Sequence, residues 1–200
     1  TNMTKLKEIS LEHNRLSGVL PERFEVLGEL ITLRLNHNLL NGTLPLRLGY
    51  MRRTCKHINL SNNHLRGPIP KSMNDVDLIN MDVLDLSNNA LSGELPSKFV
   101  SSLLQARNEG VYTTSIGGNS RGFLLGNEMV SDVLSMKSKS IDMRSMSLRC
   151  TITEKMISLI QNRSVDLSCN YLEGELSLGA IRCICTSRLK GYDIDISNNN

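Results

Sequence analysis

The chain has 200 residues and a formal net charge of +3; 40% of it is hydrophobic, only 4% is aromatic, and it contains no Trp. That is enough apolar material for one domain or one piece of a repeat array, but an ordinary globular core leans on large rings that are scarce here. The charge is too mild to point to nucleic acid, and there is no apolar run of about 18 residues to span a membrane.

The predicted elements begin at once and repeat. The first segment carries Leu6, Ile9, Leu11, Asn14, Leu16, Gly18 and Pro21. The second carries Leu30, Leu33, Leu35, Asn38, Leu40, Gly42 and Pro45 at the same spacing. In the third stand Cys55, Ile58, Leu60, Asn63, Leu65, Gly67 and Pro70, and in the fourth Met81, Leu84, Leu86, Asn89, Leu91, Gly93 and Pro96. Asn14, Asn38, Asn63 and Asn89 thus mark a nearly constant period. The period then breaks, and the motif returns only at Asn170, which has Val165, Leu167, Leu172 and Gly174 around it. Ile194, Ile196 and Asn199 follow as one more partial match.

Each position has a physical reason. Alternation of apolar and polar residues over five positions predicts a short strand with one buried face, over 8–12, 32–36, 57–61, 83–87 and 164–168. Stacked coils of this kind make a right-handed solenoid with a parallel sheet on its concave side, each coil burying small aliphatic side chains against its neighbours. The Asn stands where the chain turns inward, and its amide can satisfy backbone groups that the turn leaves unpaired. The Gly permits backbone angles closed to other residues, and the Pro three residues on ends any helix. Motifs run to both ends and no leader pattern stands at Thr1, so the chain is expected to be a fragment of a longer array, with any targeting or anchoring segment outside it.

Residues 97–161 break the period and divide the chain into 1–96, the interruption, and 162–200, with 178–191 irregular. One interpretation is a non-repeat insertion. Five Gly (110, 117, 118, 122 and 126) would loosen it, Tyr112 and Phe123 would supply apolar anchors for a partner, and Lys137, Lys139, Arg144, Arg149 and Lys155 would supply charge. The other is a degenerate coil with Val111, Thr114, Ile116, Asn119 and Gly122, in which Thr114 and Arg121 stand where Leu belongs.

The segments Leu86-Ser87-Asn88-Asn89-Ala90-Leu91-Ser92-Gly93-Glu94-Leu95-Pro96 and Leu60-Ser61-Asn62-Asn63-His64-Leu65-Arg66-Gly67-Pro68-Ile69-Pro70 resemble the hallmark of the plant-type extracellular leucine-rich-repeat family. The resemblance covers about 1–96 well and 163–200 in part. It implies an α/β solenoid with a superhelical twist and a second short strand in each Gly-x-x-Pro half. Receptor-like proteins and some receptor kinases of the family carry a non-repeat island between two repeat blocks, and 97–161 sits in that place. The stretch Asp132–Met143 is similar to the Lys-containing strand that ends many such islands, with Lys137-Ser138 where Lys-Gly is usual, and a weakly helical segment over 153–161 follows. Asn162 stands where the family has a buried Leu, and Ser177 replaces the Pro after Gly174.

In that alignment the outward strand residues form rows on the concave sheet. One row is Ser10, Arg34, Asn59, Asp85, Asp166 and Asp195; a second is Glu8, Thr32, His57, Val83, Ser164 and Asp193; a third is Glu12, Asn36, Ser61, Ser87, Ser168 and Ser197. The candidate ligand-binding residues are Arg34, His57, Asp85, Tyr112, Phe123, Lys137 and Lys139. His13 and His37 lie one coil apart and are expected to stack. Cys55 takes a Leu position as buried filler. Cys183 and Cys185 fall short of a zinc ligand set, and with five Cys at least one is unpaired or pairs outside the chain. Four N-glycosylation sequons start at Asn2, Asn41, Asn59 and Asn162. No Ser/His/Asp arrangement emerges and no metal or cofactor is implied, so a binding surface is expected and not an enzyme. The resemblance implies a receptor-like protein ectodomain at the extracellular face of the plasma membrane, reaching the membrane only through segments outside this chain. Its partners would be an extracellular peptide or protein ligand and a co-receptor leucine-rich-repeat kinase, with no nucleic acid. The alternative is a secreted inhibitor of a cell-wall-degrading glycosidase on the same scaffold.

Overall fold

The computed structural model describes residues 3–111, 114–124, 126, 133, 136, 138–149, 157, 161, 163–175 and 177–199. Strands β1 (Glu8–Ser10), β3 (Thr32–Arg34), β5 (His57–Asn59), β7 (Val83–Asp85) and β10 (Thr114–Ser115) form one parallel sheet in that order. Strands β12 (Ser140–Asp142), β13 (Ser164–Asp166) and β14 (Ile194–Asp195) form a second parallel sheet. In most of these strands the middle or leading residue is inward, as in β3, β5 and β7, where Leu33, Ile58 and Leu84 are buried between two half-exposed neighbours. The period-two burial expected from the repeat spacing is what the strands show.

A second set of short strands lies beside each turn, where the Gly of the repeat takes positive φ. β2 (Ser17–Val19) pairs with β4 (Leu39–Asn41), β6 (Arg66–Gly67) with β8 (Ala90–Leu91), and β9 (Gly93–Glu94) with β11 (Phe123–Leu124), all parallel. The return segments carry 3-10 turns in coils one to three and two full helices elsewhere, α1 (Ser97–Asn108) and α2 (Leu178–Leu189). The irregular 178–191 of the sequence is therefore mostly one helix, begun by Ser177, whose hydroxyl accepts from Ala180 N.

The core is a continuous column of aliphatic side chains. Leu35, Leu60 and Leu86 stack buried, as the repeat predicts, whereas Leu11 on the outer face of the first coil is 46% exposed because no coil of this chain covers it. Cys55 is fully buried in its Leu position, and burial pushes its thiol up to about 11, so it is an inert packing group.

The asparagine ladder is built as the sequence suggests. Asn63 Nδ2 lies within hydrogen-bond reach of the carbonyls of Leu60, Ser61 and, one coil back, Leu35, while its Oδ1 accepts from Leu40 N. Asn38, Asn89, Asn170 and Asn199 repeat the pattern. The residue before each ladder position is left-handed: His13, His37, Asn62, Asn88, Gly118, Ser145, Cys169 and Asn198 all have positive φ.

That column of left-handed residues continues at Gly118 and Ser145, within 97–161. Asn119 is fully buried, its Nδ2 donates to Leu86 O and Ile116 O, and its Oδ1 accepts from Leu91 N. Thr114–Ser115 join the sheet beside β7, and residues 114–122 follow the strand, ladder and turn order of a coil. A further coil has Ile141 and Met143 as its inward residues and a fully buried Met146 at the ladder position. Asn89, Asn119, Met146 and Asn170 thus follow one another at coil spacing, through the stretch where the sequence suggested a gap. Among the described residues the interruption is in hydrogen bonding: the concave strands form a five-stranded and a three-stranded block, with no pairing between β10 and β12. The predicted helix over 153–161 falls almost wholly outside the described residues.

Candidate ligand-binding face

Strand register sets which side chains meet on the concave surface. Ser10 pairs with Arg34, Arg34 with Asn59, Asn59 with Asp85 and Asp85 with Ser115; across the break, Asp142 pairs with Asp166 and Asp166 with Asp195. Adjacent members stand roughly 4.8 Å apart in a parallel sheet. The second row runs Glu8, Thr32, His57 and Val83. Two sequence rows are therefore assembled as aligned, with Ser115 and Asp142 as members that the spacing did not reveal.

The candidates within these rows are already engaged. Arg34 Nη1 donates to Glu8 Oε1 at 2.9 Å and reaches Ser10 Oγ at 3.3 Å. His57, on the neighbouring coil, has its pKa lowered, first by burial and then by the Arg34 charge, with Asp82, Glu12 and Glu8 pulling the other way. Asp85 Oδ1 accepts from both Ser87 N and Ser87 Oγ. Asp166 does the same with Ser168, and Asn59 does it with Ser61.

Across the break the side chains form a charged network. Asp142 receives Arg144 Nη2 at 2.8 Å on Oδ2, and Arg144 Nε stands 3.3 Å from Asp166 Oδ2. Burial pushes the Asp142 carboxyl up, but Arg144 and Arg107 outweigh it and hold the group below its usual value. Arg107, on α1 and nearly buried, reaches Asp142 O, Asp142 Oδ1 and Arg144 O with Nη1. In the regular coils Leu86 N donates to Ser115 O and Asn88 N to Gly117 O. The equivalent acceptors one coil on are Asp142 O and Arg144 O, and the guanidinium supplies donors to both.

Other candidates are placed differently. Phe123 is fully buried, with β11 holding it in the core, and is not an anchor for a partner. Its position follows the coil turn, so its ring points inward like the aliphatic residues around it. Lys139 is exposed at the entrance to β12, where its carbonyl accepts from Ser164 N. Two arginines of the expected basic cluster are paired with carboxylates: Arg144 with Asp142 and Asp166, Arg149 with Glu173 at 2.8 Å. Tyr112, Lys137, Asn2 and Asn162 lie outside the described residues. His13 and His37 stack as expected, with ring centroids 4.3 Å apart. Cys55, Cys169, Cys183 and Cys185 are free thiols. Arg107 escaped the sequence analysis because its role depends on a strand pairing that is missing, and nothing in a single helix signals that.

The family model described as Leucine Rich Repeat matches residues 5–27, 54–75 and 80–102. Those are coils whose strands, ladder and turns are described above. The matched stretches are leucine-rich repeats, and the chain has the leucine-rich-repeat solenoid fold. It is similar to Receptor like protein 27 of Arabidopsis thaliana, with 30% identity over 95 residues, which are 48% of this chain and 11% of that protein. Among solved structures it is similar to the Arabidopsis receptor kinase HAESA, in complex with the peptide hormone IDA and the co-receptor SERK1, at 26% identity and a TM-score of 0.54. That match covers 98% of this chain and 30% of HAESA. The ectodomain of the Arabidopsis receptor kinase GASSHO1/SCHENGEN3 has a TM-score of 0.54 at 24% identity, over 89% of this chain and 20% of its own, a likeness of fold. The repeat solenoid spans only a minor part of each of these proteins.

Proposed function

We propose that the chain is a stretch of the ligand-recognition ectodomain of a cell-surface receptor-like protein, binding an extracellular peptide or protein and signalling through a partner kinase. The observation that supports this best is the open concave face, where register lines up Arg34, Asn59 and Asp85 on consecutive coils with His57 beside them. A row of polar side chains at strand spacing offers an extended chain several contacts at once, whereas a shallow sheet gives little of the water exclusion that catalysis draws on. The peptide complex of HAESA is consistent with this use of the fold. Asn41 is exposed on β4 and Asn59 faces the concave surface. On this reading Asn41 carries a glycan in secreted protein, and glycopeptide mass spectrometry showing it bare would count against a secretory route.

The experiment is selection of extended peptides on the immobilised chain from a display library, followed by assay on Thr32→Arg and Arg34→Glu. Selected peptides should lose affinity for both variants. Peptides that bind all three proteins alike would place recognition off the concave face and defeat the proposal.

A further inference from the structure

The second set of strands has an outer face of its own, and on it an apolar strip surrounds a sequon. Burial alternates along β4, with Leu40 in the core and Leu39 and Asn41 turned outward. β2 pairs with β4 so that Val19 stands opposite Asn41, one strand spacing or roughly 4.8 Å away. Leu39 precedes Asn41 by two residues on the same face, roughly 6.6 Å along the strand. Val19 is 70% and Leu39 45% exposed, so an apolar cover over the pair would be favourable. Val19 is also placed by its neighbour: its Cγ1 lies 2.7 Å from where a Cβ on Gly42 would stand, so the side chain lies over the middle residue of Asn41-Gly42-Thr43.

The polar groups of that sequon are open. Asn41 and Thr43 are both exposed, and neither the Asn41 amide nor the Thr43 hydroxyl makes a side-chain hydrogen bond among the described residues. The sequon at Asn59 is arranged otherwise. Ser61 is 3% exposed, and its N–H and hydroxyl both donate to Asn59 Oδ1. Asn59 also stands in the concave row between Arg34 and Asp85, whereas Asn41 lies on the strands beside the turn.

We propose that Asn41 is an N-glycosylation site whose first N-acetylglucosamine packs on Leu39 and Val19 and completes the outer face of the first two coils. This rests on the secretory route in the reading above and adds a structural role for the sugar. In the transfer, Asn41 Nδ2 forms a bond to C1 of the sugar as the bond from C1 to the pyrophosphate of a lipid-linked oligosaccharide breaks. The lipid pyrophosphate leaves, and the amide loses one proton. The attached ring has a face of C–H groups and an acetyl methyl. Leu39 lies on one side of its root along the strand, and Val19 lies on another across the strand pair. The sugar hydroxyls stay in water, so the strip is covered without burying an unpaired polar group. The concave face remains clear for a peptide.

The test uses the 200-residue chain secreted from cells that make only high-mannose glycans, trimmed with endoglycosidase H so that each modified asparagine keeps one N-acetylglucosamine. Glycopeptide mass spectrometry should find Asn41 occupied. The trimmed parent should melt roughly 2–4 °C above trimmed Asn41→Gln, the shift expected when one ring covers two half-exposed aliphatic side chains in a chain of this size. The same two proteins made in bacteria, without glycans, should melt alike. In a Val19→Ser, Leu39→Ser background the difference between trimmed protein and its Asn41→Gln version should fall below a degree. An unmodified Asn41 in secreted protein overturns the site and counts against the secretory route as well. An occupied Asn41 whose sugar leaves Tm unchanged, or whose gain survives the loss of Val19 and Leu39, overturns the packing role and leaves the secretory route standing. Neither result bears on whether selected peptides respond to Thr32→Arg and Arg34→Glu, so failure here and failure of the peptide-binding reading are told apart.

Discussion

One buried amide of the ladder holds four backbone groups that belong to two coils. Removing it leaves carbonyls and an N–H unpaired in a site that water does not reach. Asn63→Ala should therefore destabilise the chain by about 3 kcal/mol, since each orphaned buried group costs roughly 1–3 kcal/mol. For a chain of this size that lowers Tm by roughly 6–12 °C, and a calorimetric melt within a degree of the parent would contradict it. His57 gives a prediction in pH. Burial, then Arg34, lowers its pKa below 6.5 in the folded chain, so folding favours the neutral ring. Its stabilising contribution is complete above the unfolded value and is lost as pH falls below 6.5 toward the lowered folded value. His57→Gln should flatten that part of the acid-side slope of stability, and Arg34→Gln should move the His57 midpoint upward in an NMR titration; an unmoved midpoint would show that Arg34 is not a cause. Single residues also mark where the sequence stops being legible. Asn119 could be read as a ladder residue, but Met146 could not, because a thioether cannot donate and nothing in its type announces the position. Only the left-handed Ser145 before it, visible in three dimensions, reveals the coil.

Between elements, the informative feature is the junction of β10 with β12. The two coils remain joined along the turn, where Phe123 N donates to Ser147 O, Arg149 N to Phe123 O and Asn119 N to Ser147 Oγ. They also approach closely there: a Cβ on Gly117 would stand 2.6 Å from the Ser145 carbonyl oxygen. On the concave side the strands part, and Arg107 from α1 fills the role of the absent N–H donors. Thr114 belongs to the same defect. It takes the core position of Leu84, and its hydroxyl is buried without a partner among the described residues. Arg107→Met should cost about 2–3 kcal/mol, less than the roughly 3–5 kcal/mol typical of breaking a fully buried pair, because Arg144 still compensates Asp142. Backbone amides over 140–145 should exchange faster in the variant. Unchanged stability together with unchanged exchange would mean that the junction closes without the guanidinium. The division of the concave sheet is invisible in sequence for this reason: it follows from which donors face which acceptors, and a polar helix residue that repairs it looks like any solvated arginine.

At the scale of the whole chain, the regular coils were legible because one physical demand, burying a strand on one side and satisfying a turn on the other, imposes the same residue types on coil after coil. Where side chains only approximate those types, as over 97–161, the fold persists by packing while the pattern fades. The same logic predicts how the chain comes apart. A solenoid is stabilised by intrinsic coil terms and nearest-neighbour interfaces, so its weakest coils open first. The third and fourth coils are flanked on both sides and contain Leu60, Leu65, Leu78, Leu84 and Leu86, all fully buried. The last coil is different: α2 buries only Ala180 and Ser187, leaves Leu178 and Leu189 more than four-fifths exposed, and Ile194 and Ile196 are only partly covered. It is also separated from the five-stranded block by the break in the concave sheet. Native-state hydrogen exchange read by mass spectrometry should therefore show peptides from 178–199 opening at a free energy several kcal/mol below those from 57–91. The two regions should lose protection in separate steps as denaturant is added. A single cooperative loss of protection across 57–199 would show that the interfaces through Phe123, Leu148 and Arg107 couple the blocks as tightly as an unbroken sheet does.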